Sequence, residues 1–130
     1  IEEIRGFLNY ELGNRKLITF VLIGTKEILP YIKHNESLYQ RISMKLQLKP
    51  LSLESSKEYV KYRLKTAGAD INLFSDEALD IVYDASRGIP RLINIICDNA
   101  LLDAALLKRT HIDDKLVENV SRFYKVDSEI

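Results

Sequence analysis

The chain has 130 residues, of which 46% are hydrophobic and 29% charged, with 19 basic and 19 acidic side chains. This composition excludes a disordered chain, and the zero net charge removes any global attraction to nucleic acid or a membrane surface. The two parts differ in sign: residues 1–50 carry eight basic and five acidic side chains, and residues 51–130 carry eleven and fourteen.

Ile1, Ile4, Phe7 and Leu8 recur at helical spacing, and Glu11-Leu12-Gly13-Asn14-Arg15 reads as a helix end and loop. The chain starts at Ile1, without a methionine and in what reads as mid-helix, so the expectation is an excised fragment with more chain upstream. Ile18-Thr19-Phe20-Val21-Leu22-Ile23 is apolar on both alternating faces, the pattern of a strand buried between helices in a parallel sheet, and it ends at Gly24-Thr25. Residues 26–40 should be a short helix and an irregular stretch, the helix beginning near Glu27 with Pro30 in its first turn. Met44, Leu46 and Leu48 alternate with Lys45, Gln47 and Lys49, the period of an edge strand ended by Pro50.

From Ser52 onward the pattern is helical only. Ser52 is a good N-cap, with Val60, Leu64 and Ala67 along one face and Gly68 closing the helix. Ser75 caps the next helix, where Asp76 and Glu77 complement the dipole and Ala78, Leu79, Val82 and Tyr83 face inward. Gly88 can stop that helix in a left-handed conformation, and Pro90 opens the next. That third helix should run to about Lys108, with Leu92, Ile93, Ile95, Ile96, Ala100, Leu101, Ala104, Ala105 and Leu107 around most of its circumference. Asp113 caps a last helix with Ile112, Leu116, Val120 and Phe123 on one face, which completes a four-helix bundle. The expected fold is thus an α/β fragment over residues 1–50 followed by an all-α domain over residues 51–130.

Chemistry is confined to a few polar positions. Arg91, Asn94 and Asp98 fall at i, i+3 and i+7 and form one polar edge on an apolar helix. Arg91 lies beside the positive end of the helix dipole, where a cation is unfavourable unless an anion is near. It pairs either with a surface carboxylate or with a phosphate. Thr25, at the C-terminal end of the first strand, either caps a helix or lies at the edge where parallel sheets place ligands. Arg41 either is solvated or offers its planar fork to a neighbouring subunit.

Several activities are excluded by spacing. His34, His111 and Cys97 do not fall at zinc-ligand intervals, no Gly-x-Ser-x-Gly occurs, and no Gly-x-x-x-x-Gly-Lys-Ser/Thr cradles a phosphate. Cys97 is the only cysteine, which rules out an intrachain disulfide and points to a reducing compartment. The longest uninterrupted apolar run, Phe20 to Ile23, is far too short to span a bilayer.

Six segments, in order and spacing, resemble the C-terminal half of AAA+ ATPases of the general secretion pathway protein A type. They are Gly24-Thr25-Lys26-Glu27-Ile28, Tyr39-Gln40-Arg41-Ile42, Leu51-Ser52-Leu53-Glu54, Ala67-Gly68-Ala69-Asp70, Leu73-Phe74-Ser75-Asp76-Glu77-Ala78 and Gly88-Ile89-Pro90-Arg91-Leu92-Ile93-Asn94 with Cys97-Asp98. The resemblance implies that residues 1–50 are the tail of a nucleotide-binding core whose Walker A and Walker B segments precede Ile1. Residues 51–130 would be the helical lid. It further implies that Arg91 is the sensor 2 arginine, Arg41 an arginine finger acting in trans, and Thr25 the sensor 1 position. Such relatives commonly have Gln-Pro after the glycine where this chain has Thr25-Lys26, and often a second arginine where Tyr39 stands.

By the same resemblance the intact parent would bind ATP and Mg²⁺, assemble as a homo-oligomer and engage a secretion or inner-membrane partner at the cytoplasmic face of the inner membrane. No bound cofactor and no activity are expected of this fragment alone. In such cores the two retained strands are not neighbours, so the sheet here should be incomplete, leaving its strands exposed, rearranged or paired with another chain. Two other readings remain: a lid module of a DNA-acting AAA+ ATPase, against which the acidic C-terminal part weighs, or a helical interaction domain without a nucleotide role.

Overall fold

The computed structural model describes residues 18–124 throughout, and the backbone of Glu11–Leu12 and Arg15–Lys16. The helix expected around Ile1 to Leu8 lies outside the described residues. The chain divides into two units between Gln47 and Leu48.

In the first unit, two-residue strands β1 (Glu11–Leu12) and β2 (Arg15–Lys16) pair antiparallel, Glu11 opposite Lys16 and Leu12 opposite Arg15, where a helix end and loop was expected. Helix α1 spans Ile28–His34 and α2 spans Glu36–Arg41. Pro30 is the third residue of α1, where no intrahelical acceptor would await its missing N–H. Asn35 ends α1 and caps α2, its side-chain oxygen accepting the Leu38 N–H at 3.1 Å. The two short helices pack on each other and bury Ile32 and Leu38.

The expected α/β fold is not what the described residues adopt. Neither 18–23 nor 44–48 is a strand; both lack regular secondary structure, and the only sheet among the described residues is the β1–β2 ladder. Their apolar side chains are exposed, with Val21 at 78%, Ile23 at 90%, Met44 at 72% and Leu46 at 83%. The physical reason is that a strand is completed by its neighbours. Backbone N–H and C=O groups of an extended segment need a ladder partner, and a two-faced apolar segment needs a layer on each side. No ladder among the described residues includes either segment.

The second unit is helical. Helices α3 (Leu53–Thr66), α4 (Asp76–Ser86), α5 (Pro90–Leu106) and α6 (Asp114–Ser121) are joined by short turns. Three have the side-chain caps the sequence suggests. Ser52 accepts the Ser55 N–H at 3.2 Å, Ser75 the Ala78 N–H at 3.0 Å and Asp113 the Leu116 N–H at 3.0 Å. The segments leading into α4 and α6 are tied by a parallel bridge between Phe74 and Ile112. Here Ile112 N–H donates to the Leu73 carbonyl at 2.9 Å, and Ser75 N–H to the Ile112 carbonyl at 3.0 Å.

One apolar core results, built from residues such as Leu79, Val82, Ile93, Ile96, Ile112 and Val117. Lys57–Asp80 and Lys61–Asp76 ion pairs link α3 to α4 at 2.6 and 3.0 Å. Four expected core positions are exposed instead: Ala105 lies in the last turn of α5, Ala67 and Leu107 follow the last turns of α3 and α5, and Phe123, past the end of α6, is 86% exposed. A residue beyond a helix end leaves the face its spacing would assign to it, because the 100° step holds only while the backbone stays helical.

Candidate functional site

The turn from α4 to α5 is built from local backbone demands. Arg87, at φ 51°, is the left-handed C-cap of α4, and its N–H donates to the Tyr83 carbonyl at 2.7 Å. Gly88 follows at φ 73°, so two successive residues occupy the region that disfavours side chains with a Cβ. Gly88 is required for a second reason: a Cβ there would collide with the Leu51 carbonyl. Its N–H donates to the buried Ser86 hydroxyl at 3.3 Å, and its carbonyl accepts the Leu51 N–H at 2.8 Å.

Ile89, at φ −80° and ψ 113°, has the extended conformation expected before a proline, and Pro90 is the first residue of α5. This places Arg91 second in the helix. The first turn has no side-chain cap and no acidic residue. Leu92 and Ile93 both donate to the Ile89 carbonyl, at 2.9 and 3.0 Å, and Pro90 has no N–H. The Arg91 N–H therefore has no acceptor among the described residues. Its guanidinium is exposed and makes no hydrogen bond or ion pair there. An open N–H, a positive dipole end and an unengaged guanidinium together suit an anion.

The polar edge does not act as one unit. Asn94 Oδ1 accepts from Tyr59 Oη and from Arg63 Nη1, both at 3.0 Å, and Arg63 Nη1 also donates to Tyr59 Oη at 3.2 Å. The Tyr59 hydrogen bond, with the Asp98 charge nearby, holds the Arg63 guanidinium above its ordinary pKa. Asn94 is thus engaged by α3 rather than by Arg91, and Asp98 lies close enough to Arg63 for its charge to be felt. Tyr59 and Arg63 were not singled out from sequence, although their i, i+4 spacing on α3 could present both groups to a polar seam on a neighbouring helix.

These side chains line a groove of about 150 Å³ between α3 and α5 whose apolar wall includes Leu64, Phe74 and Leu101. Cys97 also lines it. Burial pushes the Cys97 thiol up to about 12, so it stays a neutral small hydrophobe.

Thr25 and Arg41 belong to the first unit. The Thr25 hydroxyl hydrogen-bonds the Glu27 carboxyl and holds its pKa below the ordinary value, while the Thr25 carbonyl accepts the Ile28 N–H at 3.2 Å. Arg41 is exposed in the last turn of α2, where a cation complements the dipole. Among the described residues no group of three or more His, Cys, Asp or Glu side chains could hold a metal ion, and no helix is long and apolar enough to cross a membrane.

Over 113 residues the chain is 39% identical to General secretion pathway protein A of Aeromonas hydrophila, a stretch that is 85% of this chain and 20% of that protein. This chain is a relative of the general secretion pathway protein A type. A second similarity, 27% identity over 113 residues, is to an uncharacterized HTH-type transcriptional regulator of Methanocaldococcus jannaschii, covering 84% of this chain and 27% of that protein. The chain thus spans about a fifth to about a quarter of the length of these two proteins. No protein-family model matches it, and no solved structure does.

Proposed function

We propose that this chain is the sensor and lid portion of an AAA+ ATPase that couples ATP binding and hydrolysis to protein secretion or cell-envelope assembly. The observation that carries the reading is Arg91: an exposed guanidinium with no ion pair among the described residues, on a helix start that has no side-chain cap and an open N–H among them, within a stretch 39% identical to a secretion protein. These groups fit one contact to a phosphate oxygen. They do not form a whole nucleotide cradle, and no Gly-x-x-x-x-Gly-Lys-Ser/Thr occurs in the chain. Bound ATP with Mg²⁺ would supply the transferable phosphoryl group.

In this reading Arg91 holds phosphate charge from the lid of its own subunit, and its planar fork supports two parallel hydrogen bonds. Arg41 serves an adjacent subunit as the finger that stabilises charge on the transferred group. Thr25 occupies the sensor 1 position, where its short hydroxyl orients rather than neutralises. The protein works as a homo-oligomer with a secretion or inner-membrane partner at the cytoplasmic face of the inner membrane.

The test is ATP hydrolysis by the full-length protein that contains this chain. Arg91→Ala is expected to lower hydrolysis by about 10²-fold, as loss of a charge-stabilising donor does. Arg91→Lys should recover only part, because it restores the charge without the fork. Hydrolysis unchanged by Arg91→Ala would overturn the reading.

A further inference from the structure

The turn that presents Arg91 is also bonded to the segment by which the chain enters the second unit. Leu51 lies three residues past Leu48, where that unit begins, and immediately before the Ser52 cap of α3. Its N–H donates to the Gly88 carbonyl at 2.8 Å, and its own carbonyl lies where a Gly88 Cβ would be. Two backbones 37 positions apart thus touch with no side chain between them.

Little between that contact and Arg91 can yield. Gly88 N–H is held by the Ser86 hydroxyl at 3.3 Å, and Ile89 N–H by the Ser86 carbonyl at 3.0 Å. Ser86 itself is fully buried. The Ile89 carbonyl is engaged by Leu92 and Ile93, its backbone is restricted by the following proline, and Pro90 has a locked φ. A slack loop would absorb a displacement of the α5 start. Here those bonds oppose such a displacement.

The geometry points to residues 86–90 acting as a strut that couples the first turn of α5 to Leu51. Gly88 is then a positioning residue for the chain entering the lid. The inference rests on the reading of Arg91 as a phosphate contact and deepens it: an anion drawn to Arg91 is reported at the Leu51–Gly88 hydrogen bond, and through it at residues 48–52. A ligand shifts such an element only through differential contact with its states, and Arg91 supplies that contact.

The experiment is residue-resolved hydrogen exchange of the Leu51 amide in the full-length protein, with and without Mg²⁺ and a non-hydrolysable ATP analogue, in the wild type and in Arg91→Ala. The expected result is about tenfold slower exchange at Leu51 when the analogue binds, an effect absent from Arg91→Ala. Nucleotide binding that depends on Arg91 but leaves Leu51 exchange unchanged overturns the strut and leaves the proposed function standing. Slowing that persists in Arg91→Ala overturns it too, because the signal then travels by another route. Analogue affinity unaffected by Arg91→Ala overturns the phosphate contact itself, and the strut with it. A folded Gly88→Ala variant that still binds the analogue should lose the Leu51 response. If that variant fails to fold, the wild-type and Arg91→Ala measurements decide alone.

Discussion

The two units are made of similar residues and reach different ends. In the second, Leu79, Ile93, Ile96 and Val117 are no more than 2% exposed, whereas in the first Val21, Ile23, Met44 and Leu46 are each more than 70% exposed and, among the described residues, only Ile32 and Leu38 are buried. Apolar content alone does not make a core. Four amphipathic helices in sequence can cover one another, since each satisfies its own backbone and needs only one partner face. A strand satisfies neither its backbone nor its faces without neighbours.

The contrast is most directly broken by paired truncations in the whole chain, followed by urea unfolding with far-UV circular dichroism. Ile96→Ala, at a fully buried position, should cost about 3 kcal/mol through lost burial and a residual cavity. Leu46→Ala, at a position 83% exposed, should change stability by less than about 0.5 kcal/mol. A large loss from Leu46→Ala would mean that 44–48 is covered by a surface absent from the described residues.

Smaller effects test how closely the second unit is satisfied. Ser75→Ala removes the α4 cap and should cost about 1 kcal/mol in the same assay. Ser56→Ala should act the other way and stabilise by about 0.5 kcal/mol, because the buried Ser56 hydroxyl has no hydrogen-bond partner among the described residues and alanine is the better helix former.

The weakest effect is electrostatic. The Leu116 N–H bond, with Arg109 at 3.1 Å beside it, holds the Asp113 carboxyl below the usual range. A carboxylate depressed on folding contributes stability above its unfolded value and loses it as pH falls through the folded one. Loosening of α6 is therefore expected below about pH 4, the ordinary aspartate value. Asp113→Asn, which keeps a capping oxygen, should flatten that dependence in an acid titration followed by circular dichroism.

Much of the second unit was legible residue by residue. Ser52, Ser75 and Asp113 cap as their chemistry suggests, and Pro90 opens α5, because caps and first turns are satisfied within a few residues of chain. The α4–α5 turn was only half legible. A glycine stop was visible, but not that Arg87 joins Gly88 in the left-handed region, nor that Leu51 lies where a side chain at 88 would be. In the first unit Pro30 located the start of α1, while the second helix, Glu36–Arg41, stands where an irregular stretch was expected.

The candidate site divides in the same way. The place of Arg91 in the first turn of α5 follows from Gly88 and Pro90 alone. Whether it was free or paired with a surface carboxylate did not. That was decided by packing, which brings Tyr59 and Arg63 of α3 onto Asn94 and no carboxylate of the described residues onto Arg91. Local order determined the helices, their caps and the position of the arginine, because those depend on bonds spanning four or five residues. Tertiary structure decided which apolar segments found cover, which polar groups found partners and why residue 88 has no room for a side chain. Each of those depends on a residue distant in the chain, and no spacing within a single segment encodes it.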